Sequence, residues 1–79
     1  MLVISFNSTS QAMKADKFFD STDIDKMVVP TPRAISQSCG ISIRIISEQL
    51  EDVISMLEKN EIGIKGIYNV TKDEAQKIY

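Results

Sequence analysis

The chain of 79 residues has no histidine and a single cysteine, Cys39. A structural zinc site takes about four Cys or His ligands, so the chain cannot supply one, and no metal or other cofactor is expected. Imidazole acid–base catalysis and Cys–His nucleophile pairs are excluded within one chain. One cysteine also excludes an internal disulfide, so the fold must hold by packing. Positive charge is not in excess: the net charge is −2, whereas nucleic-acid binders show a basic patch, so no nucleic-acid partner is expected. No apolar run approaches the roughly 18 residues of a membrane span. The opening MLVISF lacks a basic n-region and a small-residue cleavage site, so neither a signal peptide nor a membrane association is expected. The expectation is a cytoplasmic protein. What remains is ordinary for a globular domain, with 43% apolar and 25% charged residues. The length suits one small domain over residues 1–79.

LVISF (2–6) is an apolar, β-branched run that reads as a buried strand. Ser8 with Gln11 three residues on has capping-box spacing. Ala12, Ala15 and Phe19 recur at helical intervals, which predicts a helix over about 9–20, ended by the turn-formers Asp20 to Asp23. IDKMVV (24–29) is a second strand, stopped by Pro30. ISIRII (41–46) alternates, with Ile41, Ile43 and Ile45 on one face and Ser42 and Arg44 on the other, a half-buried third strand. Ser47 is placed to cap a second helix with the stripe Leu50, Val53, Ile54 and Leu57. Gly63 follows that helix as a C-terminal glycine. IKGIYNV (64–70) is a fourth strand, in which Gly66 marks a bulge or a close helix contact. Thr71 with Glu74 repeats the capping-box spacing, so 71–79 is read as a short terminal helix or tail. Met13, Met27 and Met56 read as core filler. Glu48, Glu51 and Asp52 read as a solvated face.

The order β-α-β-β-α-β points to an α+β, ferredoxin-like fold: a four-stranded antiparallel sheet with two helices on one face. Strands one and two then run the same way and strand three returns. The end of strand one, the start of helix one and the whole 30–40 loop should meet at one end of the sheet.

That loop, PTPRAISQSCG, concentrates both prolines, Arg33 and the cysteine. A free thiol has a pKa of about 8.5, and only its thiolate is a good nucleophile. A helix N-terminus and a guanidinium both favour the anion. Cys39 is therefore the candidate reactive residue. Arg33, Ser8, Thr9, Ser38 and Gly40 are candidates for stabilising the thiolate or a bound anion, and Pro30, Pro32 and Ser36 for shaping the loop. Three blander readings stand beside this one. Cys39 can be a small buried hydrophobe, Arg33 a solvated charge, and Ser8 and Thr9 simple helix caps.

The strand ending in Phe6, the Ser8-Thr9 segment followed by QAMKADK, and VPTPRAISQSCGISIRI together resemble a family of short bacterial proteins, the putative selenium/sulfur carrier protein-like family. The resemblance runs over roughly residues 3–70, and P-R-x-x-S-x-S-C-G is its most specific part. It implies that Cys39 carries sulfur or selenium as a persulfide or selenosulfide, with donor and acceptor proteins as partners. The matching positions are Ser8, Thr9, Pro32, Arg33, Ser36, Ser38, Cys39 and Gly40. Such a chain is a relay component rather than a complete enzyme. The alternatives are a non-catalytic module that binds a small anion or a protein and whose cysteine only packs, and a structural partner that pairs through a free sheet edge. Free edges also allow a homodimer.

Overall fold

The computed structural model describes residues 1–35, 40–72 and 74–79. Its elements are β1 (Leu2–Phe6), α1 (Thr9–Asp20), β2 (Lys26–Pro30), β3 (Ile41–Ile45), a single 3-10 turn (Ser47–Gln49), α2 (Leu50–Lys59), β4 (Ile64–Val70) and β5 (Ala75–Lys77). The architecture is α+β, with all five strands in one antiparallel sheet of order β2-β3-β1-β4-β5. The sheet thus has one strand more than the four-stranded ferredoxin-like arrangement expected from the sequence.

The extra strand comes from the C-terminal segment, where a short helix or tail was expected. Thr71 and Glu74 are three apart, but they close a turn instead of opening a helix, with the Thr71 N–H donating to the Glu74 carbonyl at 2.9 Å. Nine residues are too few to make a helix favourable by themselves. The open edge of β4 offers the same backbone groups immediate partners, and Tyr68, Asn69 and Val70 pair with Lys77, Gln76 and Ala75.

Helix α1 begins where its spacing predicts. Ser8 is extended and its Oγ accepts from the Gln11 N–H at 3.2 Å. Only half of the capping box forms, because Gln11 Oε1 accepts instead from the Gly63 N–H at 3.3 Å. At the other end, the Ser21 and Thr22 hydroxyls donate to the Phe18 and Phe19 carbonyls at 2.7 and 2.8 Å, satisfying groups the helix leaves unpaired. The second strand is shifted two residues from its expected start and takes in Pro30, which an edge strand tolerates. Ser47 does not cap α2. It lies in the 3-10 turn, and neither Ile46 nor Gln49 makes a side-chain cap bond. The turn after α2 is made by Glu61 at φ 53° rather than by Gly63, and Asn60 Nδ2 donates to the Met56 carbonyl.

Strand alternation divides the sheet residues between two faces. Ile4, Phe6, Ile43, Ile45 and Ile67 form one core cluster with Ala12, Ala15 and Phe19 of α1 and Val53 and Leu57 of α2. Val3, Ser5, Ser42, Arg44, Gly66 and Tyr68 lie on the opposite face, matched across the strands by the pairing register. Burying a large apolar side chain is worth about 1.5–3 kcal/mol, and this one cluster contains most of the buried apolar residues. Two of the methionines are not core filler as expected, Met13 being 52% and Met27 57% exposed, whereas Met56 is half-buried and packs against the core cluster. Gly66 sits beside the single register shift between β1 and β4, and what crowds it is Lys77 and Tyr79 of the C-terminal segment, not a helix.

Candidate functional site

The register decides which chain segments share an end of the sheet. Ser5 of β1 pairs with Ser42 of β3, and Pro30 of β2 pairs with Ile41. The last residues of β1 and β2 and the first of β3 therefore lie together. α1 starts three residues after β1 ends, so its N-terminus leaves from this same end.

The loop between β2 and β3 is closed at its base by two bonds. The Thr31 N–H donates to the Gly40 carbonyl at 3.0 Å, and Thr31 Oγ1 and Ser42 Oγ lie 2.8 Å apart. The loop then opens with a turn in which the Ile35 N–H donates to the Pro32 carbonyl at 3.0 Å. Arg33 is at the second position of that turn and is exposed. Pro30 closes β2 on the exposed side and Pro32 is half-buried at the start of the turn. A Cβ added to Gly40 would meet, among the described residues, only Thr31 Oγ1 at an ordinary 3.6 Å. Ser36, Ser38 and Cys39 lie outside the described residues.

On the helix side, Ser8, Thr9 and Ser10 are all exposed and the first turn of α1 carries no acidic residue. The free N–H groups there thus have no carboxylate of their own turn to compete with an incoming anion. Ser8 already spends its Oγ on the cap. Among the described residues, no hydrogen bond joins Ser8 or Thr9 to Arg33 or Gly40. The fold brings these residues to one end of the sheet without linking them.

Thr31 and Ser42 were not singled out in the sequence. Ser42 read as the solvent half of an alternating strand, yet it is fully buried, as is Ser5 to within 3%. The available signal was the turn chemistry: prolines at 30 and 32 with Gly40 imply a hairpin, and a hairpin sets Thr31 diagonal to Ser42.

The larger described groove, about 510 Å³, runs between the end of α1 and α2 and is lined by Phe18, Ile24, Gln49, Met56 and Lys59 among others. It contains none of the candidate site residues, and its polar groups are those of helix ends and surface faces. Lys26 is ion-paired to Asp16 and, at 2.6 Å, to Asp20. Its hydrogen bonds to Asp16 and then Asp20 raise its pKa above the usual lysine value, which marks it as a pin between β2 and α1. Among the described residues no three His, Cys, Asp or Glu side chains converge as a metal site would need. No helix among them is long and apolar enough to cross a membrane.

No curated protein and no solved structure matches the chain. A family model does: the one described as Putative Se/S carrier protein-like matches residues 1–69, spanning β1 through most of β4 and the entire β2–β3 loop, and the chain belongs to that family.

Proposed function

We propose that the protein is a sulfur or selenium carrier that works in the cytoplasm through Cys39. The observation that supports this reading most is the position of the only cysteine. It is the penultimate residue of the P-R-x-x-S-x-S-C-G segment, inside the portion that the family model matches, and its sequence neighbour Gly40 accepts the Thr31 N–H at the base of the loop. In loading, the Cys39 thiolate attacks the outer sulfur of a donor persulfide. The new Cys39–sulfur bond forms as the donor's S–S bond breaks, and the donor leaves as a thiolate. In unloading, an acceptor nucleophile attacks the outer sulfur and Cys39 leaves as the thiolate. No net oxidant is consumed, and selenium follows the same course.

Each intermediate is an anion, which is the role for Arg33 and for the N-terminus of α1 with Ser8 and Thr9. Ser38 and Gly40, the sequence neighbours of Cys39, are candidates for stabilising the same anion, and Pro30 and Pro32, with Ser36, for shaping the loop. The donor and acceptor are other proteins, and β2, which among the described residues pairs only with β3, leaves room for a homodimer.

The test is intact-mass spectrometry after exposure to a low-molecular-weight persulfide, with no reductant present. The wild-type chain should gain one sulfur mass, released by dithiothreitol, as reversible caps on exposed thiolates are. Cys39→Ser should gain nothing, and labelling of that variant would refute the reading. Alkylation by iodoacetamide separates carrier from anion-binding module. A carrier thiol reacts fast at neutral pH in the folded protein, whereas a packing cysteine reacts only on unfolding.

A further inference from the structure

Charge in this protein is sorted by layer. Among the described residues every charged side chain in a strand is positive: Lys26, Arg44, Lys65 and Lys77. The carboxylates lie on the helices and in the turns, so a chain of net charge −2 has a basic sheet. Lys26 is neutralised from the helix side by Asp16 and Asp20.

On the sheet face away from the helices, no ion pair is formed among the described residues. One row of paired residues crosses all five strands there: Met27, Arg44, Val3, Tyr68 and Lys77. Arg44 and Lys77 are exposed, Met27 is 57% exposed, and Val3 between Arg44 and Tyr68 is fully buried. The stem of Lys77 crosses β4 over Gly66, where a Cβ would meet its Cε at 2.7 Å. Exposed Ile46 extends the apolar part. Two shallow hollows of about 330 and 450 Å³ flank Arg44 and Ile46. Asp25 lines the first and Glu48 the second, and the Tyr79 backbone oxygen lies against Gly66 beside the Lys77 stem.

We infer that this face is the docking surface for a protein partner whose own surface sets carboxylates around apolar side chains. Exposed Met27 and Ile46 with half-buried Tyr68 supply apolar contact area and the hollows accept side chains, while Arg44 and Lys77 select for acidic groups and against basic ones. The molecule measures 32 × 26 × 18 Å, so its broad face matches the roughly 800 Å² that each partner gives to a standard interface. Two like-charged copies of the face would repel each other, which disfavours a face-to-face dimer. Two cations amid apolar side chains are too few for a nucleic-acid track, which gains its affinity by neutralising many phosphates.

The test uses the full chain as bait for a random-peptide phage library, with the Arg44→Glu/Lys77→Glu variant as counter-selection. Enriched peptides should combine Asp or Glu with apolar residues. They should bind the variant about ten-fold or more weakly, as loss of charge complementarity predicts. Binding should weaken with salt, and the amide shifts they cause should fall on Met27, Val3, Arg44 and Tyr68. The variant's circular dichroism should match wild type, and Arg44→Gln serves if it does not. Absence of enrichment, basic consensus peptides, or shifts confined to α1 and α2 would each overturn the inference. So would binding of a dT oligonucleotide that the variant loses, which would make the surface a nucleic-acid site. Self-association of wild type abolished in the variant would overturn it in favour of a second copy.

Discussion

The hydroxyl pair at the base of the loop makes a quantitative prediction. Thr31→Val keeps the shape and β-branching of the side chain but removes the partner 2.8 Å from Ser42 Oγ. Ser42 has 0% exposure, so water cannot replace that partner without opening the hairpin. Leaving a buried polar group unpaired costs about 1–3 kcal/mol. Ser42→Ala is milder, because the hydroxyl it strands belongs to Thr31, which is half-buried and open to solvent. About 0.5–1.5 kcal/mol is expected there. The double variant removes both polar groups, and replacing both partners with apolar groups of similar shape is close to neutral. The two changes should therefore be non-additive, with a coupling of at least about 1.5 kcal/mol, since the double variant should cost far less than the two single variants together. The assay is urea denaturation of the four proteins at one pH, with m-values checked for constancy. Heating gives a second measure, since about 1 kcal/mol moves the midpoint of a domain this size by roughly 4–8 °C. Additivity to within about 0.3–0.5 kcal/mol would refute the pairing as a stabilising contact.

Other features give further expectations. Phe19→Ala should cost about 3–5 kcal/mol, because the ring is buried to within 1% in the cluster shared by both helices; a loss below about 1 kcal/mol in urea would show that the cluster collapses freely. Gly66→Ala should destabilise by about 1–2 kcal/mol. Lys77 can swing away from the new methyl, but the Tyr79 carbonyl oxygen at 3.1 Å is backbone, and hydrogen exchange at Ile78 should quicken; an unchanged or slower rate would count against this. Stability should fall as pH rises above about 10. Lys26 is raised above 10.5 by Asp16 and Asp20, and Tyr79 above 10.0 by its hydrogen bond to Glu58. The folded state holds these protons more tightly than the unfolded chain, so their contribution is complete below the ordinary values and is lost through the raised ones. Lys26→Met with Tyr79→Phe should flatten the alkaline slope of the urea midpoint, and an unaltered slope would contradict the assignment.

The parts of the fold legible in the sequence are those where one local signal meets no competitor. Residues 2–6 and 9–20 show this: an unbroken apolar run and a helix period after Ser8 have one reading each. The C-terminal segment went the other way, because Thr71 and Glu74 suit a turn as well as a cap and the choice rests with the distant edge of β4. Met13 and Met27 misled for a related reason: side-chain type gives a burial preference, whereas the register gives the actual face. Ser42 was misread because alternation shows which side of a strand a residue takes, not whether that side is covered. At the candidate site, the gathering of segments at one end of the sheet followed from topology. The Thr31–Ser42 contact did not, since it depends on a diagonal across two strands that no spacing within either one encodes.

The C-terminal strand has a consequence for handling the protein. The family match stops at Asn69, and the strand that closes the outer edge of β4 comes after it. A chain trimmed to the matched portion would keep the helices and the cysteine loop but lose Val70 and expose the edge of β4 at Ile67, Tyr68 and Asn69, which the C-terminal segment pairs. Such an edge is a template for pairing with other chains. Residues 75–79 are thus a solubility element for preparative work, and a shortened chain that precipitates would be reporting a lost edge cover rather than a misfolded core.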